Sequence, residues 1–196
     1  MVNAKTLRLT QVSILAALVV VLQLMSYGIK IGTFNLSLVL IPLVVGGALF
    51  GTATGAVLGL IFGAVVTIGC ITGMDVGGNI LWNINPLLTA LICLGKGAAA
   101  GAVGGFVATH LRSKNRPFVG VLFSAVVVPI VNTGLFCLAM WFLFHDTLVA
   151  WAGGQETVYY IFTGLVGINF LIEFVLNVVL APMSERIVNA VRRTKL

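Results

Sequence analysis

Residues 51–72 read GTATGAVLGLIFGAVVTIGCIT, and this stretch decides the class of the fold. It contains no charged residue, and its length matches the ~20 apolar residues that a helix needs to cross a bilayer. Glycine recurs at every fourth position, at Gly51, Gly55, Gly59 and Gly63. This spacing leaves one helical face almost without side chains, so another helix backbone can approach closely. The stretch therefore predicts a membrane-spanning helix packed tightly against a neighbour.

A second glycine run has the same spacing, at Gly97, Gly101 and Gly105. Two interpretations stay open for the two runs. The glycine faces could pack against each other inside the protein, or they could offer a smooth surface to a partner subunit.

The composition extends the membrane prediction to the whole chain. Of the 196 residues, 60% are apolar and 8% are charged, whereas soluble domains carry about 25% charged residues. A chain with so little charge cannot cover a globule with polar surface. We therefore predict an all-α polytopic membrane protein that forms a single domain over residues 1–196.

The apolar stretches indicate six transmembrane helices, the second of them short. Their predicted ranges are 7–27, 36–50, 54–72, 83–110, 118–144 and 158–179.

The basic residues orient these helices. They form three clusters that flank the apolar stretches: Lys5 and Arg8; Arg112, Lys114 and Arg116; and Arg186, Arg192, Arg193 and Lys195. Six crossings bring all three clusters to one face, and the positive-inside rule assigns that face to the cytoplasm. Both termini are predicted to be cytoplasmic. The net charge of +6 then reflects topology, and nucleic acid is not an expected partner.

Two charged residues, Lys96 and Glu173, fall near the middle of predicted helices four and six. A charge at that depth costs at least ~2.5–3.5 kcal/mol on insertion scales. Each residue therefore needs a partner or an aqueous cavity. The partner is either the other residue, in a structural ion pair, or a charged group of a ligand. Lys96 could instead snorkel along its apolar stem.

Amide and indole side chains are concentrated towards the outer side. Asparagine supplies both donors and acceptors, so it suits a ligand that carries hydroxyl or amide groups. The alternatives are hydrogen bonds between helices for the asparagines and anchoring at the membrane interface for the tryptophans. The predicted ligand-binding residues are Asn79, Trp82, Asn83, Asn85, Lys96, Asn132, Trp151, Asn169 and Glu173.

Catalytic and metal-binding patterns are absent from the sequence. There is no Gly-x-Ser-x-Gly elbow and no His-Glu-x-x-His pair. The two histidines, His110 and His145, belong to opposite faces of the predicted topology. The three cysteines have no spacing typical of a metal site or a redox pair. We expect no enzyme activity, no cofactor and no metal.

Three stretches together resemble the S components of energy-coupling factor (ECF) transporters, which are the substrate-binding subunits of bacterial vitamin importers. Residues 5–24 are similar to the family's first helix, and residues 35–51 to its second. Asn85-Pro86, followed by Lys96-Gly97-x-x-x-Gly101, is similar to the fourth. The resemblance covers nearly the whole chain.

The resemblance implies a subunit of the bacterial cell membrane that binds one vitamin from outside. The implied partners are a membrane-embedded coupling subunit and two cytosolic ATPases. Family members contact the coupling subunit through an Ala-x-x-x-Ala face on helix one. The matching residues here are Ser13 and Ala17, with Ala16 beside them. Asn-Pro followed by a basic residue favours pantothenate as the ligand, with riboflavin, folate and pyridoxine-type vitamins as alternatives.

Two other functions stay open. The chain could be a self-sufficient secondary transporter that uses Glu173 to carry protons. It could also be a non-transporting scaffold that assembles through its glycine faces.

Overall fold

The computed structural model describes residues 4–31, 34–35, 37–112 and 117–193. Five of its helical segments are long and apolar enough to cross a membrane: Lys5–Ser26, Thr52–Thr72, Pro86–His110, Phe118–Leu143 and Thr157–Val179. The segment Leu40–Phe50 is apolar but shorter. The prediction of an all-α polytopic membrane protein is confirmed.

The described chain contains ten α-helices, a π-helical segment and a minimal hairpin. The hairpin pairs β1, Lys30–Ile31, with β2, Phe34–Asn35, in antiparallel fashion. The π-helical segment is Ile161–Val166. The α-helices are α1 Ala4–Ser26, α2 Leu40–Phe50, α3 Thr52–Thr72, α4 Val76–Ile84, α5 Pro86–His110, α6 Pro117–Leu143, α7 His145–Ala152, α8 Thr157–Tyr160, α9 Gly167–Val179 and α10 Ala181–Arg193.

The predicted fourth helix starts in the wrong place. Residues 83–110 were expected to be continuous, but the chain is extended at Asn85, where φ is −150° and ψ is 96°. Pro86 explains the break, because a proline disfavours helical backbone in the residue before it. The Asn85 side chain accepts a hydrogen bond from Leu88 N at 3.1 Å and caps α5.

Two predicted loops and the predicted basic tail contain short helices. α4 and α7 lie in the second and third outer loops, and α10 follows the last span. α10 buries Ala181, Ser184 and Val188, which share one helical face because they are spaced by three and four residues. Its opposite face exposes Met183 and Ile187.

The glycine runs meet each other at the centre of the molecule. A Cβ atom on Gly55 would clash with the carbonyl oxygen of Gly101, and one on Gly59 with that of Gly97. The backbones of α3 and α5 are therefore in direct contact, as four-residue glycine spacing permits. This finding supports the first of the two interpretations, internal packing, because the two faces cover each other.

Basic side chains from distant parts of the sequence meet at one end of the bundle. Arg8 Nη2 lies 3.3 Å from Thr54 Oγ1 and 3.4 Å from the Phe50 carbonyl oxygen. Arg192 donates to the Ala48 carbonyl oxygen and lines a small crevice with Arg112. The positive-inside rule assigns this end to the cytoplasm. Lys114, Arg116 and Lys195 lie outside the described residues, as does Leu36 at the predicted start of helix two.

The outer surface of the bundle is strongly apolar. Leu87, Phe142 and Phe162 are 71%, 73% and 70% exposed. A soluble monomer does not present so much contiguous apolar surface, so lipid is the solvent that covers it.

Candidate ligand-binding site

A cavity of about 90 Å³ lies inside the bundle, in the half away from the basic end. It is several times larger than the space that one buried water molecule needs. Residues from α1, α3, α4, α5, α6 and the last span form its wall, together with Ser37 from the segment before α2. Its polar lining includes Gln23, Asp75, Lys96, Asn132, Asn169 and Glu173.

Four of the predicted ligand-binding residues line this cavity. They come from three different helices, and they are Lys96, Asn132, Asn169 and Glu173. The structure thus brings these four side chains together from predicted helices four, five and six. Whether these residues bind a ligand stays a prediction.

Three predicted asparagines lie outside the lining and make local hydrogen bonds. Asn79 Nδ2 donates to the Cys70 carbonyl oxygen at 2.8 Å. Asn83 Nδ2 donates to the backbone oxygen of Asn79 at 2.9 Å, and Asn85 caps α5. The Asn79 bond holds α4 against α3, the Asn83 bond lies within α4, and the Asn85 cap fixes the turn into α5. All three amides therefore support the helices around the cavity.

The two predicted tryptophans pack in separate hydrophobic clusters. Trp82 packs against a cluster that contains Val66 and Cys70. Trp151 packs against another that contains Met140 and Leu148. Neither indole is part of the cavity lining.

Lys96 and Glu173 line the same cavity, and each has a contact of its own. Lys96 Nζ lies 5.0 Å from the centroid of the Phe136 ring, within the range of a cation–π interaction. Glu173 is 5% exposed, and its Oε1 accepts a hydrogen bond from Ser37 N at 2.6 Å. The wall therefore combines one cation with two carboxylates, those of Asp75 and Glu173.

Part of the lining was not predicted from the sequence. Gln23 of α1 and Ser37 belong to regions where no ligand contact was expected, and Phe62, Phe136 and Phe170 supply apolar surface. Gln23 had a usable signal, because it is an amide inside the apolar run of helix one. The aromatic residues had none, since apolar positions in a membrane helix look alike in sequence.

The predicted partner-interface residues lie on two sides of α1. Ser13 and Ala17 are exposed, whereas Ala16 is partly buried and packs against the core. The exposed pair leaves a shallow strip between larger side chains, including Ile14, which is 62% exposed.

The sequence matches one family model, described as the substrate-specific component of ECF transporters, over residues 7–185. The chain belongs to this family. A comparison with curated individual proteins found no match.

Membership confirms the resemblance inferred from the sequence. The S component is a membrane-embedded transport subunit that recognises the substrate, and the match covers all the membrane-spanning helices. The cavity combines apolar walls with a few convergent polar groups, as small-molecule sites do.

Proposed function

We propose that this S component binds a water-soluble vitamin in the cavity from the outer side of a bacterial cell membrane. It then delivers the vitamin inward in complex with a membrane-embedded coupling subunit and two cytosolic ATPases. The observation that carries the proposal is the cavity itself, with Lys96, Asn132 and Glu173 converging inside an otherwise apolar bundle. Polar groups at such depth are costly, so they mark functional sites in membrane proteins.

Pantothenate is the ligand that this lining favours. The Lys96 ammonium complements a carboxylate, and the amide and carboxylate oxygens of the wall complement hydroxyl and amide N–H donors.

Calorimetry on the purified chain tests the binding function. We expect pantothenate to give saturable heat at micromolar concentration or below. Riboflavin, folate and pyridoxine serve as comparison ligands in the same buffer and detergent. If none of the four vitamins produces heat or raises the unfolding temperature, the proposal of a vitamin site is wrong.

Uptake into liposomes tests the transport function. We expect the chain alone to accumulate no vitamin, and transport to require the coupling subunit, the ATPases and ATP. Uptake by the chain alone under a proton gradient would instead support the secondary transporter that uses Glu173.

A further inference from the structure

Gln23 reaches the cavity from α1, a helix that the sequence analysis assigned only to partner contacts. Its side chain is 2% exposed and forms part of the cavity wall. A buried amide must find partners for both its donor and its acceptor, because an unpaired polar group at this depth is costly.

The neighbouring tyrosine fixes which way the Gln23 amide points. The Tyr27 hydroxyl donates its proton to the Val65 carbonyl oxygen at 2.9 Å. Its phenol oxygen can then only accept, so Gln23, which lies four residues earlier on the same face of the chain, can interact with it only through the Nε2 donor. Gln23 Oε1 is the atom left over, and it is buried with no hydrogen-bond partner among the described residues.

Asn132 offers a second acceptor to the same cavity. Its side chain is 5% exposed, and its Oδ1 is likewise buried with no hydrogen-bond partner in the part of the chain that the structure describes. Two buried acceptors, one from α1 and one from α6, thus line a single space.

We propose that Gln23 is a specificity-determining residue, whose Oε1 accepts a hydrogen bond from a hydroxyl or amide N–H group of the bound ligand. The inference rests on the proposed function and narrows its substrate class. The ligand carries donors that face Gln23 and Asn132, together with an anionic or acceptor group that faces Lys96. A site built in this way rejects analogues that lack the donors, because the buried oxygens would remain unpaired.

Calorimetry with a matched pair of probes tests this role. The probes are pantothenate and N-(3,3-dimethylbutanoyl)-β-alanine, which keeps the carboxylate and the amide but lacks both hydroxyl groups. We expect wild type to prefer pantothenate by about tenfold or more. In Gln23→Met that preference should fall by about tenfold, through loss of pantothenate affinity alone.

Gln11 provides the control variant. It is also an α1 glutamine, and its buried Oε1 has no hydrogen-bond partner within the described part of the chain, but it is not part of the cavity lining. Gln11→Met should leave the preference for pantothenate unchanged. If Gln23→Met is too unstable to purify, Tyr27→Phe replaces it. That variant releases the Gln23 amide from its fixed orientation and should also weaken the preference.

The outcomes separate this inference from the proposed function. If Gln23→Met keeps the wild-type preference, or weakens both probes equally, Gln23 is only structural and the inference is wrong while the vitamin site stands. If wild type binds pyridoxine instead of pantothenate, the matched probe that lacks a hydroxyl donor is 4-deoxypyridoxine. If it binds riboflavin, that probe is lumiflavin. If wild type binds no vitamin, both proposals fall together.

Discussion

The polar residues of this protein fall into two groups: some face the cavity, and others connect or cap the helices around it. Lys96 and Glu173 face the cavity, where an aromatic ring and a backbone N–H contact them. Asn79 and Asn85 belong to the second group, because their bonds connect or cap helices. Residue type alone did not separate the two groups, since an asparagine suits either task.

Removing the positive charge from the cavity should weaken ligand binding. We expect Lys96→Leu to lower the affinity for pantothenate by about tenfold or more, because a hydrogen bond to a charged group contributes about 1.5–3 kcal/mol. Lys96→Arg should retain more of the affinity, since it keeps the charge. Isothermal titration calorimetry measures both variants.

Arg186→Leu is the control for this experiment. It removes an exposed positive charge from α10, far from the cavity lining, and should leave the affinity unchanged. Full affinity in Lys96→Leu would exclude a role for Lys96 in ligand binding.

The capping role of Asn85 gives a test that separates support from ligand contact. Asn85→Ala should destabilise the protein by about 0.5–2 kcal/mol, because the first turn of α5 loses its side-chain acceptor. Asn85→Asp keeps an acceptor and should retain both stability and vitamin affinity. Thermal unfolding and calorimetry are measured together. A fully stable Asn85→Ala protein with lost affinity would show that the residue contacts the ligand.

At the scale of secondary-structure elements, the contact between α3 and α5 organises the bundle. Glycine lets the two backbones touch where any side chain would separate them. The cavity lies beside this contact, and Phe62, Cys70 and Cys93 of the two helices form part of its wall.

Adding a single methyl group should disrupt this contact. We expect Gly59→Ala to destabilise the fold by at least about 1–3 kcal/mol, because the new Cβ meets the backbone of α5 and the helices must move apart. Thermal unfolding in detergent measures the effect.

Gly95→Ala is the matched control. Gly95 also lies within a membrane helix, but a Cβ there meets nothing within 4 Å. It should be neutral, or stabilising by about 0.5–1 kcal/mol, because alanine favours a helix more than glycine does. Equal stability of the two variants would contradict the close backbone contact.

The sequence predicted the long helices well and the short ones poorly. Length and apolar composition locate the membrane spans, because a bilayer imposes both. α4, α7 and α10 are short and carry polar residues, so their sequences look like those of loops between membrane spans. Asn85-Pro86 falls inside the predicted helix 83–110, whereas in the structure the pair separates α4, which ends at Ile84, from α5, which begins at Pro86.

At the scale of the whole molecule, charge sets the orientation in the membrane. Arg8, Arg112 and Arg192 come from three separate parts of the chain and meet at one end. Their clustering could be predicted because the topology rule depends on composition. The contribution of α1 to the cavity wall could not be predicted, because it depends on the rotation of each helix about its own axis, which composition does not determine.

Cysteine labelling should reveal the orientation directly. In a variant without the three native cysteines, Asp146→Cys on α7 should react with a membrane-impermeant maleimide in intact cells. Arg186→Cys on α10 should react only after the membrane is permeabilised. Both native side chains are exposed, so access to the reagent depends on the side of the membrane. Labelling of Arg186→Cys in intact cells would contradict the proposed topology, because it would place α10 on the outer side of the membrane.

The exposed strip on α1 should decide assembly with the coupling subunit. Ala17→Trp places a bulky side chain on the strip and should abolish co-purification with that subunit, while vitamin binding by the isolated chain is retained. Leu171→Trp is the control, because Leu171 is 59% exposed on another helix. If Ala17→Trp assembles at the wild-type level, this strip is not part of the interface with the coupling subunit.

The π-helical segment at Ile161–Val166 has a consequence for the residues that follow it. Gly167, which comes directly after it, has φ of 38° and ψ of −148°, so the helical backbone is broken there and α9 starts in a direction of its own. Asn169, Phe170 and Glu173 reach the cavity from α9. The backbone at this junction thus sets which way all three side chains point, and a residue other than glycine at position 167 would strain the left-handed conformation that places them.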